Sequence, residues 1–83
     1  MYKENQNKLI NIIHDGDIIH VFVNASSRNK QRIEQVLEDT FYQLSKIYYQ
    51  QYEMEYDDGQ FYFTLSDYEE YEEFKNIFYK ELR

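Results

Sequence analysis

The sequence predicts an α+β fold: a two-layer ββαββα domain whose four-stranded antiparallel sheet, built from two Asp-Gly hairpins, carries two amphipathic helices on one face. Three observations lead there. Asp-Gly occurs twice, at Asp15-Gly16 and Asp58-Gly59, each time between runs with strand-like alternation. Each such hairpin is followed by a serine break and then by apolar residues at three-four spacing. The 83 residues, 42% of them hydrophobic, suffice for one core that buries about 60% of the unfolded surface.

Residues 1–7 are polar apart from Met1 and Tyr2 and are expected to form a flexible N-terminus, ahead of a single α+β domain over residues 8–83. The first hairpin joins Lys8–His14 to Asp17–Asn24. A type I′ turn at Asp15-Gly16 sets His14 opposite Asp17, Ile13 opposite Ile18, Asn11 opposite His20 and Leu9 opposite Phe22. One face is then apolar through Ile10, Ile12, Ile19, Val21 and Val23. The other holds Leu9, Ile13, Ile18 and Phe22, with Asn11 and His20 between them, which is more apolar than a solvated face requires. A helix over residues 3–13 is the competing reading of this segment, because Leu9, Ile10 and Ile13 also suit a helical stripe.

Ala25-Ser26-Ser27 interrupts the strand pattern. From Lys30 the apolar positions Ile33, Val36, Leu37, Phe41, Leu44, Ile47 and Tyr48 define a helix, whose polar side holds Glu34, Gln35, Glu38, Asp39, Gln43, Lys46 and Gln50. In the second hairpin, Asp58-Gly59 pairs Asp57 with Gln60, Glu55 with Tyr62, Glu53 with Thr64 and Tyr52 with Leu65. The faces separate cleanly: Tyr52, Met54, Tyr56, Phe61, Phe63 and Leu65 on one, Glu53, Glu55, Asp57, Gln60, Tyr62 and Thr64 on the other. Ser66, with Glu69 three residues on, has capping-box spacing. It places the start of the last helix at about Asp67, with a buried stripe of Tyr71, Phe74, Ile77, Phe78 and Leu82.

Charge is divided unevenly along the chain. Residues 1–50 balance six bases against six acids, whereas ten acids face only Lys75, Lys80 and Arg83 from residue 51 onward, so that half carries the whole net charge of −7. Such a field repels nucleic acid and anionic membrane and attracts basic surfaces. There is no cysteine, hence no disulfide or thiolate site, and residues 1–10 contain no apolar run of signal-peptide or membrane-span length, which implies a cytoplasmic protein.

Enzyme signatures are sparse, and neither a catalytic residue nor a cofactor is expected: no Cys nucleophile, no Gly-rich phosphate loop, and both glycines used in turns. His14, Asp15, Asp17 and His20 cluster in sequence, but the expected register sends the two histidines to opposite faces, and no metal site is assigned to them. Glu53, Glu55 and Asp57 followed by Asp58-Gly59 resemble the opening of an EF-hand loop. The pattern fails at its sixth position, which is Asp58, and at its twelfth, which is Thr64.

The acidic stretch itself remains. Glu53, Glu55 and Asp57 stand about 6.8 Å apart on one strand face, and Asp58, Asp67, Glu69, Glu70, Glu72 and Glu73 continue the block, with Tyr62 and Tyr68 beside it. These eleven residues are the candidate partner-binding set: carboxylates that imitate a phosphate array next to rigid aromatic contact area. A charge run is more commonly a solvated face, and that reading competes with it. In size, charge and composition the chain resembles phage-encoded DNA mimics and anti-CRISPR inhibitors, and acidic immunity proteins that block nuclease toxins. This resemblance implies a basic partner, a nucleic-acid-binding enzyme inhibited by occupation of its DNA or RNA site, with no direct contact to nucleic acid or membrane. The protein is expected to be a monomer or a homodimer, and the alternative reading is an assembly module that pairs with itself through Leu9, Ile13, Ile18 and Phe22.

Overall fold

The computed structural model describes residues 9–83, so the expectation for residues 1–7 lies outside the described residues. Six elements follow one another: β1 (Ile10–Asp15), β2 (Ile18–Asn24), α1 (Lys30–Tyr48), β3 (Glu55–Asp57), β4 (Gln60–Leu65) and α2 (Tyr68–Leu82). The strands form one antiparallel sheet in the order β1-β2-β4-β3. Ile10–Ile13 are strand, so the helical reading of that segment fails there.

The first hairpin turns one residue later than expected. Asp15 pairs with Ile18, Ile13 with His20 and Asn11 with Phe22, which puts the turn at Gly16-Asp17. Gly16 alone takes a positive φ, 65°, the pattern of a type II′ turn with glycine at its first central position. A displaced turn moves the register by two, and two is the strand's side-chain period, so every side chain keeps its face. The second hairpin turns at Asp58 and Gly59, both at positive φ (53° and 78°), as a type I′ turn demands.

β3 is shorter than the alternation implies. Tyr52 lies ahead of it, stacked on Phe41 with ring centroids 5.4 Å apart and hydrogen-bonded to Glu70, so the chain leaving α1 is held to the helices before it reaches the sheet. Tyr52, Met54 and Tyr56 still pack against the core. The core itself joins Ile19, Val21, Val23, Phe61, Phe63 and Leu65 of the central strands to Leu37, Phe41 and Leu44 of α1 and Phe74 and Phe78 of α2. Phe63 meets Phe41 edge-on at 4.9 Å and Phe74 at 5.1 Å, so both helices pack on the sheet face that carries it. Thr40, fully buried, bonds back to the Val36 carbonyl at 2.7 Å and is satisfied within its helix. Ile47, placed in the buried stripe by its spacing, is 47% exposed at the end of α1.

α1 ends on Tyr49, which adopts the left-handed conformation at φ 57° and ψ 44°, its N–H bonded to the Ser45 carbonyl. Glycine ordinarily holds this position, because a Cβ there costs about 1–2 kcal/mol. The Tyr49 side chain is 89% exposed, so its removal sacrifices little packing. Tyr49→Gly is therefore expected to stabilise the fold by about 0.5–1 kcal/mol, measured as a higher urea midpoint at unchanged slope.

Candidate functional site

Both helices cover one side of the sheet, and strand alternation leaves the other side open. Across it Phe22 faces Tyr62, His20 faces Ile13 and Thr64, and Glu55 and Asp57 face Tyr62 and Gln60. The centre is aromatic. Tyr62 lies 5.1 Å from Phe22 and stacks on His20 at 5.8 Å with an interplanar angle of 12°. The Tyr62 hydroxyl and His20 Nδ1 share a 2.7 Å hydrogen bond whose direction is set by the imidazole tautomer, while His20 Nε2 is 3.6 Å from Asp15 Oδ2. Tyr62 is thus fixed on its ring face and at its hydroxyl.

Around this centre stand four exposed carboxylates, Asp15, Glu55, Asp57 and Asp58. They and the aromatic residues line a shallow depression of about 620 Å³. Ile13 and Ile18, 56% and 47% exposed, extend the apolar surface along the first hairpin.

The acids of α2 form a different environment. Asp67 is the N-cap, accepting from the Glu70 N–H at 2.8 Å. Glu70 is 1% exposed; its Oε1 accepts from the Ser66 N–H at 2.7 Å and its Oε2 from the Tyr52 hydroxyl. The capping pair is therefore Asp67 with Glu70, one residue later than Ser66 with Glu69, and Glu70 leaves the candidate set: its carboxylate ties β4, α2 and the segment before β3 together. Burial, and then the charges of Glu69 and Glu73, hold the Tyr48 hydroxyl above its ordinary value. Glu72 pairs with Lys75 at 3.6 Å and holds the Tyr68 hydroxyl above its ordinary value by hydrogen bond and charge. Tyr68, 51% exposed, stacks on His14.

The eleven candidate residues consequently do not make one array. Glu55, Asp57, Asp58 and Tyr62 share the open sheet face, joined there by Asp15 and His20, which the expected set omits. Asp67, Tyr68, Glu69, Glu72 and Glu73 belong to the start of α2, on the helix side of the sheet. Glu53 precedes β3 and borders depressions with Tyr52 and Met54. Of the proposed self-association residues, Ile13, Ile18 and Phe22 keep the open face. Leu9 packs against the core instead.

His14 and His20 lie on opposite faces, and among the described residues no three of His, Cys, Asp or Glu gather in metal-binding geometry. Among the same residues no helix is long and apolar enough to cross a membrane. No family model matches the chain, and neither a curated protein nor a solved structure matches it.

Two outcomes are expected. Glu70→Gln leaves either the Ser66 N–H or the Tyr52 hydroxyl without its acceptor and should cost about 1–3 kcal/mol, whereas Glu69, Glu72 and Glu73 replaced together by Gln should be neutral or slightly stabilising, since like-charge repulsion on the helix is relieved; urea denaturation separates the two cases. Burial, and then the bond to Glu70, holds the Tyr52 hydroxyl well above its ordinary value, and burial pushes Tyr71 up to about 12. Near pH 10 the unfolded chain loses these protons while the folded one keeps them, so stability is intact below that pH and falls as pH rises toward 12. Tyr52→Phe should lose less stability than wild type between pH 8 and pH 11.

Proposed function

We propose that this is a small acidic binding protein that docks the open face of its sheet onto a basic protein partner, and that the partner is a nucleic-acid-binding enzyme which it inhibits by mimicry. The observation that carries the reading is the composition of that face: a fixed aromatic centre, Phe22, Tyr62 and His20, inside a rim of Asp15, Glu55, Asp57 and Asp58. Grooves that hold single-stranded nucleic acid combine positive charge with aromatic platforms for the bases. A surface with carboxylates where phosphates would lie, and rings where bases would stack, is complementary to such a groove. Anti-defence inhibitors of the anti-CRISPR kind and nuclease immunity proteins are the roles that fit, in the cytoplasm and without direct nucleic-acid binding.

The same rim argues against the assembly module. A second copy laid on this face in two-fold symmetry would bring the two sets of four acids together, and like charges across an interface cost affinity. The free protein is accordingly proposed to be a monomer.

The test is capture of partners from a host lysate by wild type and by Glu55→Lys combined with Asp57→Lys, across a salt series. A nucleic-acid enzyme that wild type retains, that elutes steeply with salt, that duplex or single-stranded nucleic acid displaces, and that the double variant binds at least tenfold more weakly would support mimicry through this face. Equal retention by the double variant would overturn it. Self-association of wild type that Phe22→Ser abolishes would replace it with the assembly reading.

A further inference from the structure

We propose a second docking site, distinct from the open face: the outer edge of β1, with the groove between that edge and α2, takes an extended acidic segment of a partner protein as an added strand. Among the described residues no strand pairs with β1 on its outer side. The Leu9 carbonyl accepts from the Asn24 N–H at 2.8 Å, which makes that pair hydrogen-bonded and, by the alternation of an antiparallel ladder, points the backbone groups of Asn11, Ile13 and Asp15 toward β2. The N–H and C=O groups of Ile10, Ile12 and His14 therefore point outward, three consecutive docking positions at one edge. An extended peptide recognises such an edge through main-chain hydrogen bonds, and its alternate side chains reach whatever flanks it.

What flanks it here sets the chemistry of the guest. Beside Ile10 the sheet edge and α2 enclose a groove of about 790 Å³, walled on the helix side by Tyr71, Tyr79, Lys75, Lys80 and Arg83. Those three bases are all the bases the chain has after residue 50, in a protein of net charge −7. Among the described residues neither Lys80 nor Arg83 takes part in an ion pair, and Lys75 is shared between Glu72 at 3.6 Å and the face of the Tyr71 ring at 5.3 Å. Lys80 and Arg83 also offset the dipole at the end of α2, but Lys75, a turn and a half earlier, has no such role. An added strand places every second side chain toward α2. Tyr68 at the start of that helix lies at the His14 end and the bases at the Ile10 end, so a segment whose acids lie at the Ile10 end meets the three bases while its backbone pairs with β1.

A blocked hexapeptide alternating Glu and Val, titrated into the ¹⁵N-labelled protein, tests the site. Hydrogen exchange at the Ile10, Ile12 and His14 amides should slow tenfold or more at saturation. Joint replacement of Lys75, Lys80 and Arg83 by Gln should weaken binding at least tenfold, and the Lys-Val counterpart should not bind. His14→Pro removes an outward N–H at an exposed edge position where proline is tolerated, and should abolish protection at Ile10 and Ile12 while leaving the fold intact by circular dichroism. Glu55→Lys with Asp57→Lys should leave the peptide's affinity unchanged, which separates this site from the open face. Unslowed exchange at the three amides with millimolar peptide, equal binding of the Lys-Val peptide, or unchanged affinity in the triple Gln variant would each overturn the proposal.

Discussion

The pairing of β2 with β4 governs the rest of the molecule. These two strands are far apart in sequence and meet only because α1 and the β3 hairpin bring the chain back, yet their register decides both surfaces at once. Ile19 against Leu65, Val21 against Phe63 and Val23 against Phe61 make the floor on which the helices rest, and His20 against Thr64, Phe22 against Tyr62 and Asn24 against Gln60 make the opposite face. A slip of β2 by one residue would turn its side chains over, burying the His20 imidazole and the Asn24 amide and exposing Ile19, Val21 and Val23. Burial of the apolar set therefore fixes the aromatic centre of the open face as a by-product, and the site inherits its rigidity from the core.

A second constraint acts at right angles to the sheet. The Glu70 carboxylate links the end of β4 through the Ser66 N–H, and the segment leaving α1 through Tyr52, to the first turn of α2. A buried acid is tolerable only when its oxygens are satisfied, and here both are. The Tyr52 anchor also explains why β3 is brief: a chain drawn toward the helices at residue 52 cannot pair with β4 until residue 55. Three residues of edge strand are enough to present Glu55 and Asp57 beside Tyr62, and a short edge invites less unwanted strand pairing.

Much of this was legible, for reasons that can be named. Strand faces were readable even where the turn was misplaced, because alternation has period two and the displaced turn shifted the register by two. The α2 stripe was readable from its spacing, and the same spacing held the signal for Glu70: it lies four residues before Phe74 and seven before Ile77, on the buried side of the helix. Counting it with Glu69, Glu72 and Glu73 as one acidic block ignored that phase. The partnership of His20 with Tyr62 and the gathering of Asp15 with Glu55 and Asp57 were not legible. They depend on strand order, which no local pattern encodes, since antiparallel hairpins of this length can pair through either outer strand.

Strand order also explains how a chain of net charge −7 presents surfaces of opposite sign. Placing β1 at one edge and β3 at the other puts the acids of the second hairpin and the bases of late α2 at opposite margins of the sheet. Along the sequence both groups lie within residues 51–83, and their charges would largely blur together in a flexible chain. At physiological ionic strength the Debye length is about 8 Å, shorter than the three strand spacings of roughly 4.8 Å each that separate the two margins. Each margin therefore exerts its own local field, and net charge alone is a poor guide to what either one attracts.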